Sequence, residues 1–324
     1  MKHVFGPVPS RRLGRSLGID TIPLKTCNWN CVYCQLGRSI PLTNERREYI
    51  PSGEILTEVR QVLANSQDGD LDWVTFVGSG EPTLHSGLGK LIGEVKGMTS
   101  LPVAVITNGS LLYLPEIRRD LRAADAVMPS LDAGSPALYR KVNRPWPKLD
   151  YERFLAGLIA FRQEYQGKLW IEVMLVKGLN DTEEALQDIA PALDKIQPDL
   201  VHLSLPIRPP AETWVRPADE TGLQRAQAII GEAARVVQPN VEQGITQRTE
   251  ELESAILGII TRHPLREDEA TALLDRWPAE QVRAVFAGLE QSGKAQVVER
   301  YGVRFWGAAG GRYPQAEGSL RPSR

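Results

Sequence analysis

The sequence predicts an α/β chain: a curved, partly open (β/α)6 barrel over residues 16–240, then a small α+β domain over 248–307. Three observations carry this expectation. Six apolar, strand-like runs alternate with helical segments, which demands parallel strands joined by right-handed crossovers. Six units fall short of the eight that close a full barrel. Polar residues recur where strands end, at Asn108, at Ser130 and Asp132, at Lys177 and Asn180, and at Arg208. That recurrence gathers them on one face of the sheet, where loops of such folds carry chemistry.

Residues 1–15 read as an irregular basic arm, because Pro7, Pro9 and Gly14 break regular structure while Arg11, Arg12 and Arg15 crowd together. Over residues 1–50 eight Lys or Arg stand against three acids. Two readings stay open: a solvated arm, or a surface for an anionic substrate or an electron-donor protein. Residues 16–20 are the first strand, and 37–51 a loop. Ile55, Leu56, Val59, Val62 and Leu63 recur at helical spacing. Strand 72–77 runs into Gly78-Ser79-Gly80-Glu81-Pro82, a turn whose glycines let a ligand approach the backbone. Helices at 87–97, 115–123, 151–165 and 182–195 alternate with strands at 101–106, 124–132, 169–176 and 200–205. Segment 206–215 mixes Arg208, Glu212 and Trp214 beyond the sixth strand, as a substrate lid or a proline-rich connector would. A helix over 219–237 closes the barrel.

All three cysteines lie within Cys27-Asn28-Trp29-Asn30-Cys31-Val32-Tyr33-Cys34. Thiolates are soft ligands for iron–sulfur clusters and zinc. At the spacing C-x3-C-x2-C they can hold three irons of a cubane [4Fe–4S] cluster, leaving the fourth iron open to a small chelating ligand. A closed zinc site would need one of the four His, and none stands at finger-like spacing from the triplet. Disulfides fit an odd count of three poorly.

The triplet, with an aromatic before its last cysteine, resembles the radical S-adenosylmethionine (SAM) superfamily. The resemblance implies a radical SAM barrel in which Cys27, Cys31 and Cys34 hold the cluster and SAM chelates the open iron. It implies that Tyr33 packs near the adenine. Ser79-Gly80-Glu81 resembles the superfamily's Gly-Gly-Glu motif, whose backbone and acid hold the SAM amino group. Ser130 and Asp132 are implied for the ribose hydroxyls, and Asn108 for the methionyl end. The expected activity is hydrogen abstraction by a 5′-deoxyadenosyl radical, with an electron donor of flavodoxin or ferredoxin type. Residues 5–12 and 78–84 look most similar to iron–sulfur oxidoreductases grouped with tRNA wyosine-synthesising enzymes. Those synthases use a second cluster, for which no cysteine remains here.

Residues 249–262, 266–276 and 278–292 read as three short helices, followed by a hairpin over 295–306. That order resembles a winged helix, which reads nucleic acid, binds protein or packs on its own catalytic domain. Helix 278–292 carries Arg283 beside Glu280 and Glu290, with no basic stripe. The alternative function is a cluster-bearing redox-responsive regulator that reads DNA or a protein partner through this winged-helix-like unit. Residues 308–324 are expected to be a disordered tail. Net charge of −2 does not indicate nucleic acid as a partner, and no apolar run is long enough for a membrane span. The N-terminus lacks the apolar stretch of a signal peptide, so a cytoplasmic location is expected.

Overall fold

The computed structural model describes residues 2–237, 252–274 and 277–314. Its main sheet has eight strands in sequence order: β1 (Val4–Ser10), β2 (Gly14–Ile19), β3 (Trp73–Phe76), β4 (Val103–Thr107), β5 (Ala126–Pro129), β6 (Lys168–Met174), β7 (Leu200–Ser204) and β8 (Ala234–Val236). β1 runs antiparallel to β2, and every other pairing is parallel. Among the described residues β8 pairs with β7 and β1 with β2, so the barrel stays open along one side.

The crossover helices are α1 (Ser52–Ala64), α2 (Leu88–Met98), α3 (Pro115–Leu121), α5 (Tyr151–Glu164), α6 (Glu183–Ile196) and α7 (Glu220–Ile230), with a short α4 (Pro136–Val142) after β5. Alternation along the strands sorts side chains onto two faces. Val74, Val103, Val105, Val127, Leu169 and Ile171 are buried in the core shared with the helices. Ala104, Ala126 and Met128 point the other way, and pack with Leu13, Trp73 and Trp170 inside the barrel.

Four expectations are corrected. The arm is not irregular: Val4–Ser10 is an edge strand, registered Val4 to Ile19 and Ser10 to Gly14. An edge strand tolerates Pro7 and Pro9, and a bulge between Phe5 and Val8, with Gly6 at φ 107°, absorbs the misfit. The barrel has eight strands where six were expected, β1 and β8 being the additions. The helix expected over 219–237 ends at Ile230, because Gly231 takes φ 83°, and the chain turns back as β8. The tail is ordered as far as 314. The Gln296 Nε2 group donates to the Ala308 and Gly311 carbonyls at 2.7 Å each, and Arg300 Nη2 donates to the Pro314 carbonyl at 2.6 Å. Residues 315–324, the helix start at 249–251 and the boundary between 240 and 248 lie outside the described residues.

The C-terminal unit orders α8 (Leu252–Ile260), β9 (Leu265–Arg266), α9 (Glu267–Leu273), α10 (Ala279–Gln291), β10 (Ala295–Arg300) and β11 (Val303–Ala308), with sheet order β10-β11-β9. Its core is its own, built on Ile256, Ile260, Val282, Phe286, Leu289 and Trp306. Pro264 follows α8 and Pro278 caps α10, so the prolines sit where a helix tolerates them. Val8 of β1 packs against this core. Arg262 reaches into the barrel, its Nε 2.9 Å from Asp20 Oδ2 and its Nη2 2.9 Å from the Lys2 carbonyl.

Candidate functional site

The loop after β2 carries the three cysteines and has no secondary structure of its own, so its backbone bonds go elsewhere. The Asn30 N–H donates to the Asn143 carbonyl at 3.0 Å, and the Val32 N–H to the Val142 carbonyl at 2.9 Å. The Val32 carbonyl accepts from the Glu212 N–H at 3.1 Å. Trp29, between the first two cysteines, is 1% exposed and packs edge-on to Tyr139 and Phe154 at 5.3 and 5.4 Å. The loop is therefore anchored to the C-terminal end of α4 and to segment 206–215. Glu212 fixes that segment through Arg38, with bonds of 2.9 and 2.8 Å, and through Arg144. Burial raises the Glu212 carboxyl, and the two guanidiniums outweigh it, so its pKa lies below normal. Segment 206–215 is thus held against the loop, and Trp214 projects from it half-exposed.

Each sulfur has a hydrogen-bond donor beside it, while the Glu81 and Asp132 charges act on Cys27 and Cys31. Lys25 Nζ lies 3.1 Å from Cys34 Sγ, the Trp29 N–H 3.4 Å from Cys27 Sγ, Asn143 Nδ2 3.7 Å from Cys31 Sγ and Asn108 Nδ2 3.8 Å from Cys27 Sγ. Burial pushes the Cys27 thiol up to about 12 and raises the Cys31 thiol well above its usual value. Thiolates in such a place need a cation to compensate them, which a bound metal supplies. Among the described residues no three His, Cys, Asp or Glu side chains converge on a point that could hold a single ion. A polynuclear cluster, in which each thiolate binds a different iron, needs no such convergence.

The turn after β3 is built around Glu81, which is 1% exposed. Its Oε1 accepts from the Thr83 N–H at 2.9 Å and from the Thr83 and Thr107 hydroxyls at 2.6 Å each, and its Oε2 from the Asn108 N–H at 2.6 Å. Burial raises its pKa against these bonds. Glu81 therefore ties the end of β3 to the end of β4. Gly80 is required by space: a Cβ there would lie 1.9 Å from the Thr26 carbonyl oxygen. The Ser79 side chain faces inward, its Oγ donating to Asp20 Oδ2 at 2.6 Å and its N–H to Oδ1 at 3.1 Å. Ser79 thus positions the turn through Asp20 and, beyond it, Arg262.

Asn108 is brought to the cysteine loop, donating from Nδ2 to Asn28 Oδ1 at 2.8 Å. Asp132 is buried and accepts from the Tyr33 hydroxyl, from Asn143 Nδ2 at 2.7 Å and from the Met174 N–H at 2.8 Å. Burial lifts its pKa to about 6 despite those donors. Ser130 is half-buried and pairs in register with Glu172. The structure thus brings Cys27, Cys31, Cys34, Tyr33, Asn108 and Asp132 into one connected group. It sets Ser79 and Glu81 behind them, as supports.

Sequence reasoning missed Asn28, Asn143 and Glu172. Asn143 touches both Cys31 and Asp132, from a helix end 112 residues away in sequence from Cys31. Glu172 had a visible signal, a charge inside the apolar strand run 169–176. It accepts from Arg12 Nη1 at 2.7 Å and from the Ser204 hydroxyl at 2.8 Å.

The chain is also similar to known proteins. The model of the Radical SAM superfamily matches residues 21–189, a span that includes the three cysteines, Glu81 and Asp132. A UPF0026 protein of Methanocaldococcus jannaschii is 37% identical over 280 residues, covering 85% of this chain and 87% of that protein. A protein of Brachyspira hyodysenteriae named GTPase Obg is 44% identical over 226 residues, 70% of this chain and 33% of its own length, so the chain spans only a third of that relative. In fold, a radical SAM methyltransferase from Sphaerobacter thermophilus superposes with a TM-score of 0.51 at 19% identity, covering 68% of this chain and 66% of the other. Members of the matched superfamily bind a [4Fe–4S] cluster and SAM, and the donor-ringed cysteines fit the first of these. A match over half the sequence and kinship along most of it make this chain a member of the radical SAM superfamily, related to the UPF0026 proteins.

Proposed function

We propose that this protein is a radical SAM enzyme that takes a hydrogen atom from a substrate held in the barrel. One observation carries the reading: three thiols in an anchored loop, each sulfur with a hydrogen-bond donor and no fourth cysteine in the chain. When bound, cluster and SAM supply reductive C–S cleavage and a 5′-deoxyadenosyl radical. The chain's own residues hold and shield that chemistry. Cys27, Cys31 and Cys34 ligate the cluster, and Lys25, Asn108 and Asn143 stabilise thiolate charge by hydrogen bonding. Gly80 lets the backbone come close, while Glu81 fixes Thr107 and Asn108 beside the loop. Tyr33, Asp132 and Ser130 line the SAM side. The reductant is an electron-donor protein of flavodoxin or ferredoxin type.

The C-terminal unit reads as winged-helix-like, and its docking through Arg262 favours a cover over the cysteine loop. The regulator alternative is disfavoured, since a sensor needs no Glu81 turn or Asp132 pocket. Wyosine synthesis is not proposed, because a second cluster would lack ligands. The test is mass-spectrometric detection of 5′-deoxyadenosine after anaerobic loading with iron and sulfide, then SAM and a strong reductant. Wild type should form it and Cys31→Ala should not. A fully loaded wild type that forms none would sink the proposal.

A further inference from the structure

Glu172 stands between the SAM side and a second chamber. It accepts from Arg12, and its charge acts on Tyr33 and Asp132. Beyond Arg12 lies a cavity of about 380 Å³, lined by Arg11, Arg12, His202, Arg235 and Val236. It sits along the open side of the barrel, where the β1–β2 hairpin faces β7 and β8.

Its charges do not balance. Arg12 is paired with Glu172, but among the described residues no carboxylate pairs with Arg11 or Arg235. Arg235 spends Nη1 on the carbonyls of Glu232 and Ala234, at 2.6 and 2.9 Å, which leaves its charge uncancelled. Among the described lining residues, three guanidiniums against one carboxylate leave two positive charges. Nearby Arg208 and Arg262 add none, since Glu269 and Asp20 neutralise them. His202 is 7% exposed, lies edge-on to Trp170 at 5.8 Å, and its Nδ1 is buried without a partner. Burial, then the Arg12 charge, holds that ring neutral, so it can offer one hydrogen bond without adding charge. Arg11 is open to solvent yet set in a concave surround, where burial and then Arg12 lower its pKa.

We infer that this chamber binds a phosphomonoester, so that the substrate is a small phosphorylated metabolite anchored by Arg11, Arg12 and Arg235 with His202 beside them. The inference rests on the proposed radical SAM reading, and names the substrate class of that site. A phosphomonoester carries close to two negative charges near neutral pH, matching the two left over. Planar guanidinium forks suit its oxygens. A cavity of about 380 Å³ has room for one small molecule, and Glu172 lies between the guanidiniums and the proposed SAM side.

The test is calorimetric titration of the cluster-loaded protein, without reductant, using ribose 5-phosphate, ribose and malonate as probes. Ribose 5-phosphate should bind saturably, with ribose and malonate at least ten-fold weaker. Arg11→Gln should weaken ribose 5-phosphate about ten-fold, and Arg11→Lys less, since it keeps charge without the fork. Arg15→Gln, which removes a surface partner of Asp72, should change nothing. Melting curves would show whether each variant is folded. No saturation by about 10 mM, equal binding of malonate, or a folded Arg11→Gln that binds like wild type each overturns the inference. Because no reductant is present, these results stand apart from 5′-deoxyadenosine formation. Intact probe binding with no SAM cleavage would tell against the proposed function alone.

Discussion

At Gly80 the backbone passes so close to the Thr26 carbonyl that a methyl group has no room, with contacts of 1.9 Å to its oxygen and 2.6 Å to its carbon. Both atoms are backbone, and the Glu81 N–H donates to the same oxygen at 2.9 Å, so relief must part the turn from the cysteine loop. Gly80→Ala should therefore cost about 1–3 kcal/mol in urea denaturation and lower iron retention after loading. His202 gives a pH signature. Its pKa is about 6.5 in an unfolded chain and about 4 here, with burial as the chief cause. The unfolded state then binds a proton that the folded state refuses. The stability this supports is full above pH 6.5 and is lost as pH falls toward 4. The loss amounts to about 3 kcal/mol across that window. His202→Gln should flatten the fall by roughly that amount in melting curves between those pH values. The cysteines could be read from sequence because their chemistry is local and rare. Asn143 could not, because an asparagine ending a helix is ordinary until folding sets it 3.7 Å from a sulfur.

Among the elements, the link between α8 and the turn after β3 is a chain of three groups, Arg262, Asp20 and Ser79. The Arg262 and Asp20 side chains are 9% and 3% exposed, so neither has water to fall back on. Removing one partner of such a pair leaves a buried charge and costs about 3–5 kcal/mol. Arg262→Ala should lower stability by that amount, and should raise protease cleavage between the barrel and α8. A variant as stable and as resistant as wild type would mean that the C-terminal unit docks by other contacts. Helices and buried strands were legible here because their apolar periods are set by the cores they face. β1 and β8 were not. β1 carries two prolines that only an edge position tolerates, and β8 is three residues long behind a glycine turn. Edges are defined by what does not pair with them, and a local pattern carries no such signal.

The whole molecule closes on its cysteine loop from both ends of the chain. The hairpin of β1 and β2 leads into that loop, and the segment after β11 returns to it. The Arg38 N–H donates to the Arg312 carbonyl at 2.8 Å, Arg312 Nη1 reaches the Ile40 carbonyl, and the Tyr313 hydroxyl donates to the Gln35 carbonyl. A Gly- and Pro-rich terminus looks disordered in sequence because it cannot form a core of its own. Here Arg312 and Tyr313 borrow partners some 270 residues away, so the order of residues 308–314 is a property of the assembled fold. Ending the chain after 307 should remove three hydrogen bonds next to Cys34, each worth about 1 kcal/mol, together with those that Gln296 and Arg300 make to the same segment. The consequence should be larger for the cluster than for the fold. With residues 35–40 freed on one side, Cys34 keeps Lys25, which bonds both its sulfur at 3.1 Å and the Gly37 carbonyl at 2.6 Å, but loses the outer clamp. Iron release to a chelator under anaerobic conditions should then be several-fold faster in the shortened chain, with far-UV circular dichroism unchanged. Equal release rates would confine the terminus to packing, and leave Lys25 and the α4 end as what holds the third cysteine in place.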